Sequence, residues 1–380
     1  MDREAECEIA RATLSEVTER DDARPPREPV RRTLRTADGV PIEAEYLPYA
    51  GGGPASRGSG TGSSPGGAIV LAHGFTGSLG KPALRRAARA FTQHAAVVAL
   101  SFRGHGGSGG RSTLGDREVL DLAAAVRWAR ELGHARVATV GFSMGGSVVL
   151  RHGGLFRNPG HAADTHESAD GDSACTAARQ VHEGRTGAHS VPDPQGTPVR
   201  GSAPAPHAGP GNPGNPENPY GPAYPDADPD AYPDAYPDAV VAVSAPARWF
   251  YRGTPPMRRL HWVVERRLGR AVGRYGLRTR IHHRRWNPVP LPPVAAAPLI
   301  APAPLLVVHG DLDRYFPLDH PRSLAEAAGP RGAELWIEHG FGHAENAARP
   351  TLLHRIGSWV EARCLEAPAA RHHGKRAADA

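Results

Sequence analysis

The chain has 380 residues, of which 39% are hydrophobic, and it contains 45 glycines, 38 prolines and 3 cysteines. This length permits one large α/β domain or two smaller ones, and the glycine and proline content indicates that part of the chain is not packed. The cysteines, Cys7, Cys175 and Cys364, are far apart and lack CxxC spacing, which argues against a disulfide framework or a thiolate metal site.

The formal charge of +6 is distributed unevenly along the chain. Residues 157–239 contain four arginines and twelve acids, whereas residues 247–286 contain twelve arginines and a single acid, Glu265. The first residues are charged and lack the apolar segment of a signal peptide, and no apolar stretch approaches the roughly 20 residues of a membrane span. We therefore expect a cytoplasmic protein with segregated acidic and basic segments.

The first half of the chain alternates between strand and helix patterns after a polar lead-in at residues 1–27. Residues 30–48 resemble two short strands joined at Asp38-Gly39, which is a hairpin signal. Apolar runs typical of buried strands follow at 68–73, 95–102 and 135–142, and helical patterns occupy 81–94, 115–133 and 144–153. This alternation predicts an α/β fold with a mostly parallel sheet flanked by helices on both faces.

The second half begins with a low-complexity segment, residues 157–238, which we interpret as a disordered acidic insertion because it cannot bury enough apolar area. The alternative is that it binds a partner. Strand patterns then resume at 239–245, 304–310 and 333–340, and helical patterns at 321–329 and 345–364, the latter interrupted by Pro350. The predicted core therefore comprises residues 28–156 and 239–365, and residues 366–380 form a basic tail predicted to be disordered.

Two serines, Ser143 and Ser108, lie within a Gly-x-Ser-x-Gly spacing. Ser143 lies between a predicted buried strand and a helix start, where a sharp turn can expose its hydroxyl and where Gly141 and Gly145 relieve crowding. The helix start also directs backbone N–H groups toward a developing oxyanion. Ser108 has neither a strand directly before it nor a helix after it, so Ser143 is the candidate nucleophile.

A serine hydroxyl needs a base to accept its proton and an acid to orient that base. Asp311 and Asp313 follow a predicted buried strand, at the edge where α/β sheets bind their ligands. His343 follows the last predicted strand. The order serine, aspartate, histidine is one of the known triad orders, although the residues alone leave open which aspartate takes part.

Five short motifs together resemble the α/β-hydrolase superfamily, specifically its serine esterase, lipase and serine aminopeptidase-like group. They are "HGFTG" (73–77), "RGHGGSGG" (103–110), "GFSMGG" (141–146), "HGDLD" (309–313) and "GFGHAE" (340–345). The resemblance implies that Ser143 is the nucleophile, His343 the general base and Asp313 the triad acid. It also implies an oxyanion hole formed by the backbone N–H groups of Phe75 and Met144.

The resemblance leaves Asp311 as loop structure and gives His73-Gly74 the role of shaping the oxyanion loop. Relatives often carry an acid two residues before the Arg-Gly-His-Gly stretch, where this chain has Ser101. We therefore expect that loop to be braced differently. The long acidic insertion is a second departure from the usual fold.

The resemblance places a cap over the acyl pocket at residues 246–300. Leu260, Val263, Val264, Leu268 and Val272 recur at near-helical spacing, which favours a cap helix with a solvated cationic face. The alternative is that its arginines contact an anionic surface: a phospholipid headgroup layer, an acidic substrate or the chain's own acidic insertion.

The sequence therefore predicts a serine hydrolase of carboxylic esters that acts on a small-molecule ester or acyl substrate without a cofactor. The alternatives are a peptidase or amidase, an acyltransferase, and a non-catalytic binding protein of the same fold. There is no His-Glu-x-x-His motif for a metal, and no recognition motif accompanies the basic cap to suggest nucleic-acid binding.

Overall fold

The structure, a computed structural model, describes residues 28–51, 67–158, 234–329 and 332–366. The predicted lead-in at 1–27, most of the predicted insertion and the predicted basic tail, apart from Glu366, lie outside these ranges. Within them, eight strands form one sheet: β1 (Val30–Arg35), β2 (Pro41–Leu47), β3 (Gly67–Ala72), β4 (Ala96–Leu100), β5 (Arg136–Phe142), β6 (Ala239–Val243), β7 (Leu305–Gly310) and β8 (Glu334–Glu338).

The helices of the described residues follow the strands in alternation. They are α1 (Pro82–Phe91), α2 (Glu118–Glu131), α3 (Met144–Leu155), α4 (Pro255–Glu265), α5 (Arg267–Tyr275), α6 (Pro293–Ala296), α7 (Asp319–Ala328), α8 (Ala344–Ala347) and α9 (Pro350–Glu366), and a 3-10 turn spans Ala297–Ile300. The predicted helix at the end of the chain is indeed divided, because Pro350 begins α9 rather than continuing α8.

The sheet has the order β1-β2-β4-β3-β5-β6-β7-β8. β1 and β2 form the predicted antiparallel hairpin, with Gly39 at a φ of 77° in its turn, and β3 to β8 are parallel. The chain passes from β3 to β4 on one side and then returns to β5 on the other side of β3. This reversal opens a crevice at the carboxyl ends of β3 and β5, where open α/β sheets bind ligands.

Both faces of the sheet are buried, as the continuous apolar strands predict. Ala68 and Val70 of β3 face a core shared with α2 and α3, whereas Ile69 and Leu71 face a second core shared with α1 and α9. Consecutive strand residues point to opposite faces, so a strand covered on both sides has to be apolar throughout. The sheet therefore holds its strand ends, and the loops that leave them, in fixed positions.

The predicted disordered segment extends too far at its C-terminal end, because Asp234–Asp238 are packed against the core. Arg130 of α2 bonds to the Asp238 carboxylate at 2.9 Å and lies over the ring of Tyr236, 4.5 Å from its centroid. Asp238 also accepts the N–H of Val137 at 2.7 Å, and Ala235 is fully buried. These contacts fix the entry to β6, so the ordered core resumes by residue 234.

The predicted cap helix is two helices, α4 and α5, separated at Arg266, whose backbone is extended (φ −91°, ψ 143°). The apolar residues predicted to form one stripe do not share one environment. Those of α4 are partly buried, whereas Leu268 and Val272 of α5 are 68% and 43% exposed. The break rotates α5 relative to α4, so the sequence periodicity across Arg266 does not define a common face. No helix among the described residues combines the length and apolarity that a bilayer-spanning segment requires.

Candidate active site

Ser143 lies in a sharp turn between β5 and α3. Its φ of 52° and ψ of −112° are strained for a residue with a side chain. A Cβ at Gly141 would lie 2.1 Å from the Gly145 carbonyl oxygen, and one at Gly145 would lie 2.4 Å from the Ala72 carbonyl oxygen. The two glycines of the motif therefore permit the close approach of β5, α3 and β3 on which the turn depends, as the sequence predicts.

His343 and Asp313 meet Ser143 at this turn. The Ser143 hydroxyl donates to His343 Nε2 at 2.9 Å, and His343 Nδ1–H donates to Asp313 Oδ2 at 2.7 Å. The three side chains come from the ends of β5, β7 and β8 in the order serine, aspartate, histidine. The structure thus brings together the three residues that the sequence singles out, in a continuous chain of hydrogen bonds.

Asp313 is suited to remain a carboxylate. Burial raises its pKa, but the hydrogen bond and charge of His343 and the N–H of Tyr315 outweigh burial and lower the pKa below its ordinary value. A second N–H, that of Phe316, donates to the same Oδ1 at 3.2 Å. Asp311 instead bonds to His339 and to the N–H of Gly340, so it stabilises the loop as the resemblance implies.

The backbone N–H groups of Phe75 and Met144 lie at the ends of β3 and β5 that flank the crevice. Neither donates to an acceptor within the described residues. Met144 is the first residue of α3, so its N–H also lies at the positive end of the helix dipole. Within the described residues, both N–H groups are therefore available to an acceptor from outside the chain.

Residues 67–159 match the family model of the alpha/beta hydrolase fold. The matched segment includes β3, β4, β5 and the turn at Ser143, and the parallel strands with their flanking helices continue the same architecture to residue 366. The protein has the α/β-hydrolase fold. No protein of curated function matches the chain.

Solved structures of α/β hydrolases align with most of the chain at low sequence identity. An esterase of Pyrococcus furiosus is 16% identical over 88% of this chain and 89% of its own, with a TM-score of 0.50. A serine hydrolase of Xanthomonas campestris is 16% identical over 89% of this chain and 93% of its own, with a TM-score of 0.40. A bacterial membrane phospholipase A is 15% identical over 93% of this chain and 92% of its own, with a TM-score of 0.49. At 16% identity, the similarity to the Pyrococcus furiosus esterase extends to the fold alone.

Two buried histidines hold the loop at residues 73–77, which follows β3 in this α/β-hydrolase fold. His73 donates from Nδ1 to the Gly74 carbonyl at 2.7 Å and accepts the Phe102 N–H at Nε2. His105 similarly accepts the N–H of Thr76 at 3.3 Å. Burial, together with the neighbouring His105, lowers the pKa of His73 to about 3, so His73 stays neutral and keeps this tautomer near neutral pH. His73 therefore shapes the loop, as the resemblance implies.

Glu345 contacts the loop at residues 73–77 through Gly74, a contact that the sequence analysis missed. Its Oε1 accepts the Gly74 N–H at 3.1 Å, although the two residues are 271 positions apart. Arg86 of α1 donates to the Glu345 carbonyl oxygen at 2.7 Å. Burial raises the pKa of the Glu345 carboxyl. Glu345 thus links the loop that carries His343 to the loop at residues 73–77.

Glu43 of β2 lies against Ser101, the position where the resemblance leads us to expect an acid. Ser101 Oγ donates to Glu43 Oε2 at 3.1 Å, and the Gly107 N–H donates to the same oxygen at 2.9 Å. Ser101 Oγ in turn accepts the N–H of Leu79 at 3.0 Å. Within the described residues, a carboxylate of the hairpin therefore braces the loop that follows β4.

Ser108, the other serine with the same spacing, has a structural role. It is 1% exposed, its hydroxyl donates to the Ser101 carbonyl oxygen, and its Oγ accepts the Glu43 N–H at 2.9 Å. The hydroxyl therefore both donates and accepts a hydrogen bond. Among the described residues, no imidazole contacts it. The two serines thus differ in their hydrogen bonds, since Ser143 contacts an imidazole and the Ser108 hydroxyl is bonded to backbone groups of Ser101 and Glu43.

Two aromatic side chains lie against His343. The ring of Tyr315 stacks on His343 with centroids 4.2 Å apart, and Phe316 lies 5.7 Å from it. Thr254, at the start of α4, donates from its hydroxyl to the Tyr315 carbonyl oxygen at 2.9 Å. The cap therefore contacts the loop that carries both Asp313 and the aromatic ring over His343.

Within the described ranges, no three His, Cys, Asp or Glu side chains cluster in a way that could hold a metal ion.

Glu345→Leu is expected to lower kcat about 10- to 100-fold with little change in KM, because a released Gly74 lets the oxyanion loop move. Glu345→Gln is expected to restore most of the activity, since its amide oxygen still accepts the Gly74 N–H. Steady-state kinetics of both variants, with circular dichroism to verify folding, test this positioning role. Equal losses in the two variants would contradict it.

Proposed function

We propose that the protein is a serine hydrolase that cleaves carboxylic esters through an acyl-enzyme intermediate. The observation that carries the proposal is the hydrogen-bonded chain from Asp313 through His343 to Ser143, with separations of 2.7 and 2.9 Å. The resemblance to serine esterases favours esters as the substrates. The same groups can also act on amides or transfer acyl groups to acceptors other than water.

In the first half of the reaction, Ser143 Oγ attacks the ester carbonyl carbon while its proton passes to His343 Nε2. The carbonyl π electrons move to oxygen, and the N–H groups of Phe75 and Met144 stabilise the resulting oxyanion. Asp313 stabilises the imidazolium and holds its Nδ1–H. When the oxyanion collapses, the bond to the alcohol oxygen breaks and that oxygen takes the proton from His343. The products are the free alcohol and acyl-Ser143.

In the second half, water replaces the alcohol. His343 Nε2 takes a proton from the water as its oxygen attacks the acyl carbon, and the same two N–H groups stabilise the second oxyanion. Collapse breaks the bond to Ser143 Oγ, which recovers a proton from His343. The acid product leaves and the side chains return to their starting protonation states, so no cofactor enters the balance.

The test is hydrolysis of p-nitrophenyl esters from acetyl to long acyl chains, together with labelling by a fluorophosphonate probe. We expect cleavage, and a covalent adduct on the peptide that contains Ser143. The acyl chain length that is cleaved fastest would indicate the size of the acyl pocket. A folded protein that neither cleaves an ester nor reacts with the probe would contradict the proposal and favour a binding protein. Labelling without ester cleavage would favour an amidase or an acyltransferase.

A further inference from the structure

The second cap helix, α5, turns its glycines inward and its large apolar residues outward. Gly269 lies against the α4 backbone, where a Cβ would be 2.4 Å from the Trp262 carbonyl oxygen, and Gly273 lies against Ile281. Leu268, Val272 and Tyr275 are spaced i, i+4 and i+7 and form another face of the same helix. We call these three residues the apolar face of α5.

The apolar face of α5 is in contact with solvent. Leu268 is 68% exposed, Tyr275 is 76% exposed and Val272 is 43% exposed. Trp262 of α4, 45% exposed, and Leu277, 38% exposed, belong to the same pair of helices and the turn after it. Isolated exposed apolar residues are common, but a helical face of this kind, on a helix that packs through its glycines, indicates a surface that something covers.

The charges around the apolar face have one sign. Arg267 and Arg274 lie on a third face of α5, and both are exposed. Neither forms an ion pair with an acid in the part of the chain that the structure describes. The single acid of the cap, Glu265, is already bonded to Arg252. Arg270 is used internally, because it donates to the Val264 and Glu265 carbonyls at the end of α4.

We propose that α4 and α5 dock on an anionic phospholipid bilayer, with the apolar face of α5 inserted among the acyl chains and the arginines on the headgroups. An amphipathic helix with exposed leucine, valine and tyrosine beside arginines fits this interface. Trp262 and Tyr275 can place an apolar ring in the lipid and a polar edge in the headgroup layer. A nucleic acid would satisfy the arginines but would leave Leu268 and Val272 uncovered.

The docked cap would be connected to the active site through Thr254, which precedes α4 and bonds to the Tyr315 backbone beside His343. This step rests on the proposed function: the substrates would be esters that partition into a lipid layer rather than freely soluble ones. The surface chemistry of the cap does not depend on that step, so docking can be measured without any reaction.

The test is co-sedimentation of the full chain carrying Ser143→Ala with vesicles of phosphatidylcholine alone or mixed equally with phosphatidylglycerol. We expect binding to the mixed vesicles that weakens as salt is added. The double variant Arg267→Gln/Arg274→Gln is expected to bind about 30-fold more weakly, since each arginine near an anionic surface contributes a factor of about five. The triple variant Leu268→Ser/Val272→Ser/Tyr275→Ser is expected to lose at least about tenfold.

Matched controls are Arg85→Gln/Arg89→Gln on α1, where both arginines are exposed, and Ile337→Ser on β8, where the side chain is 40% exposed. These controls are expected to bind like the Ser143→Ala parent, and thermal unfolding verifies that every variant is folded. Failure of the parent to sediment with mixed vesicles would overturn the proposal. So would unchanged binding of the triple variant, or binding to duplex DNA without binding to vesicles. None of these outcomes depends on ester cleavage, so the proposed function is judged separately.

Discussion

Ser143→Ala is expected to lower kcat for ester hydrolysis by about 10⁶-fold and to abolish labelling by a fluorophosphonate, because the variant has no hydroxyl to form the acyl-enzyme. The residual rate would come from the N–H groups of Phe75 and Met144, which still stabilise an oxyanion. KM is expected to change little, since the small hydroxyl makes few contacts with the bound ester. The measurement is the steady-state rate on the p-nitrophenyl ester that the wild type cleaves fastest.

The matched control is Ser108→Ala, which has the same local spacing in the sequence. It removes the hydrogen bonds to Ser101 and Glu43, so we expect a loss of about 1–3 kcal/mol in unfolding free energy, with kcat largely retained. Thermal unfolding and kinetics measured side by side separate the two effects. Comparable activity in the wild type and in Ser143→Ala would mean that the nucleophile is another residue.

Asp313→Asn is expected to lower kcat about 10⁴-fold while leaving the fold intact. An asparagine amide facing His343 can donate a hydrogen bond where the carboxylate accepts one, which favours the imidazole tautomer with a proton on Nε2. That tautomer cannot accept the proton of Ser143. The buried carboxylate also no longer stabilises the imidazolium. Rates measured across neutral pH, with circular dichroism as the check on folding, test the prediction.

Asp311→Asn is the control two residues away in the same loop. Its partner His339 is exposed, so the pair contributes little to stability, and we expect kcat within a few-fold of wild type. If Asp311→Asn were the more damaging change, the acid would have been assigned to the wrong residue. The two variants together resolve the choice that the residues Asp311 and Asp313 leave open at the level of the sequence.

The strands, and the meeting of Ser143, Asp313 and His343, were predictable because their signals are local. Apolar runs define buried strands, and a serine between such a run and a helix start defines the turn at Ser143. His343, one of 20 histidines, could be chosen because it follows the last strand in the order that the fold imposes. The parallel sheet then brings these strand ends to one edge.

The bracing groups could not be predicted, because their partners are distant in the chain and chemically ordinary. Glu43 is one of the alternating polar residues of a hairpin strand, and nothing near it indicates that Ser101 and Gly107 lie against it. Glu345 lies beside His343 in the sequence, but its contact with Gly74 depends on how β3 and β8 are placed in the sheet. The break at Arg266 carries no proline or cap signal, and so α4 and α5 could not be distinguished as two helices.

The described chain rejoins the core ahead of β6 at the edge formed by the amino ends of the strands. Ser143 lies at the opposite edge, which is formed by their carboxyl ends. α3 runs away from the serine, and Asp238 bonds to Val137 near the start of β5, whereas Phe142 and Val243 pair at the other end. The strands between are five to seven residues long, which separates the two edges by about 20 Å. A fluorophore attached at Asp234, where the described chain rejoins the core ahead of β6, is therefore expected to lie at the opposite end of these strands from Ser143.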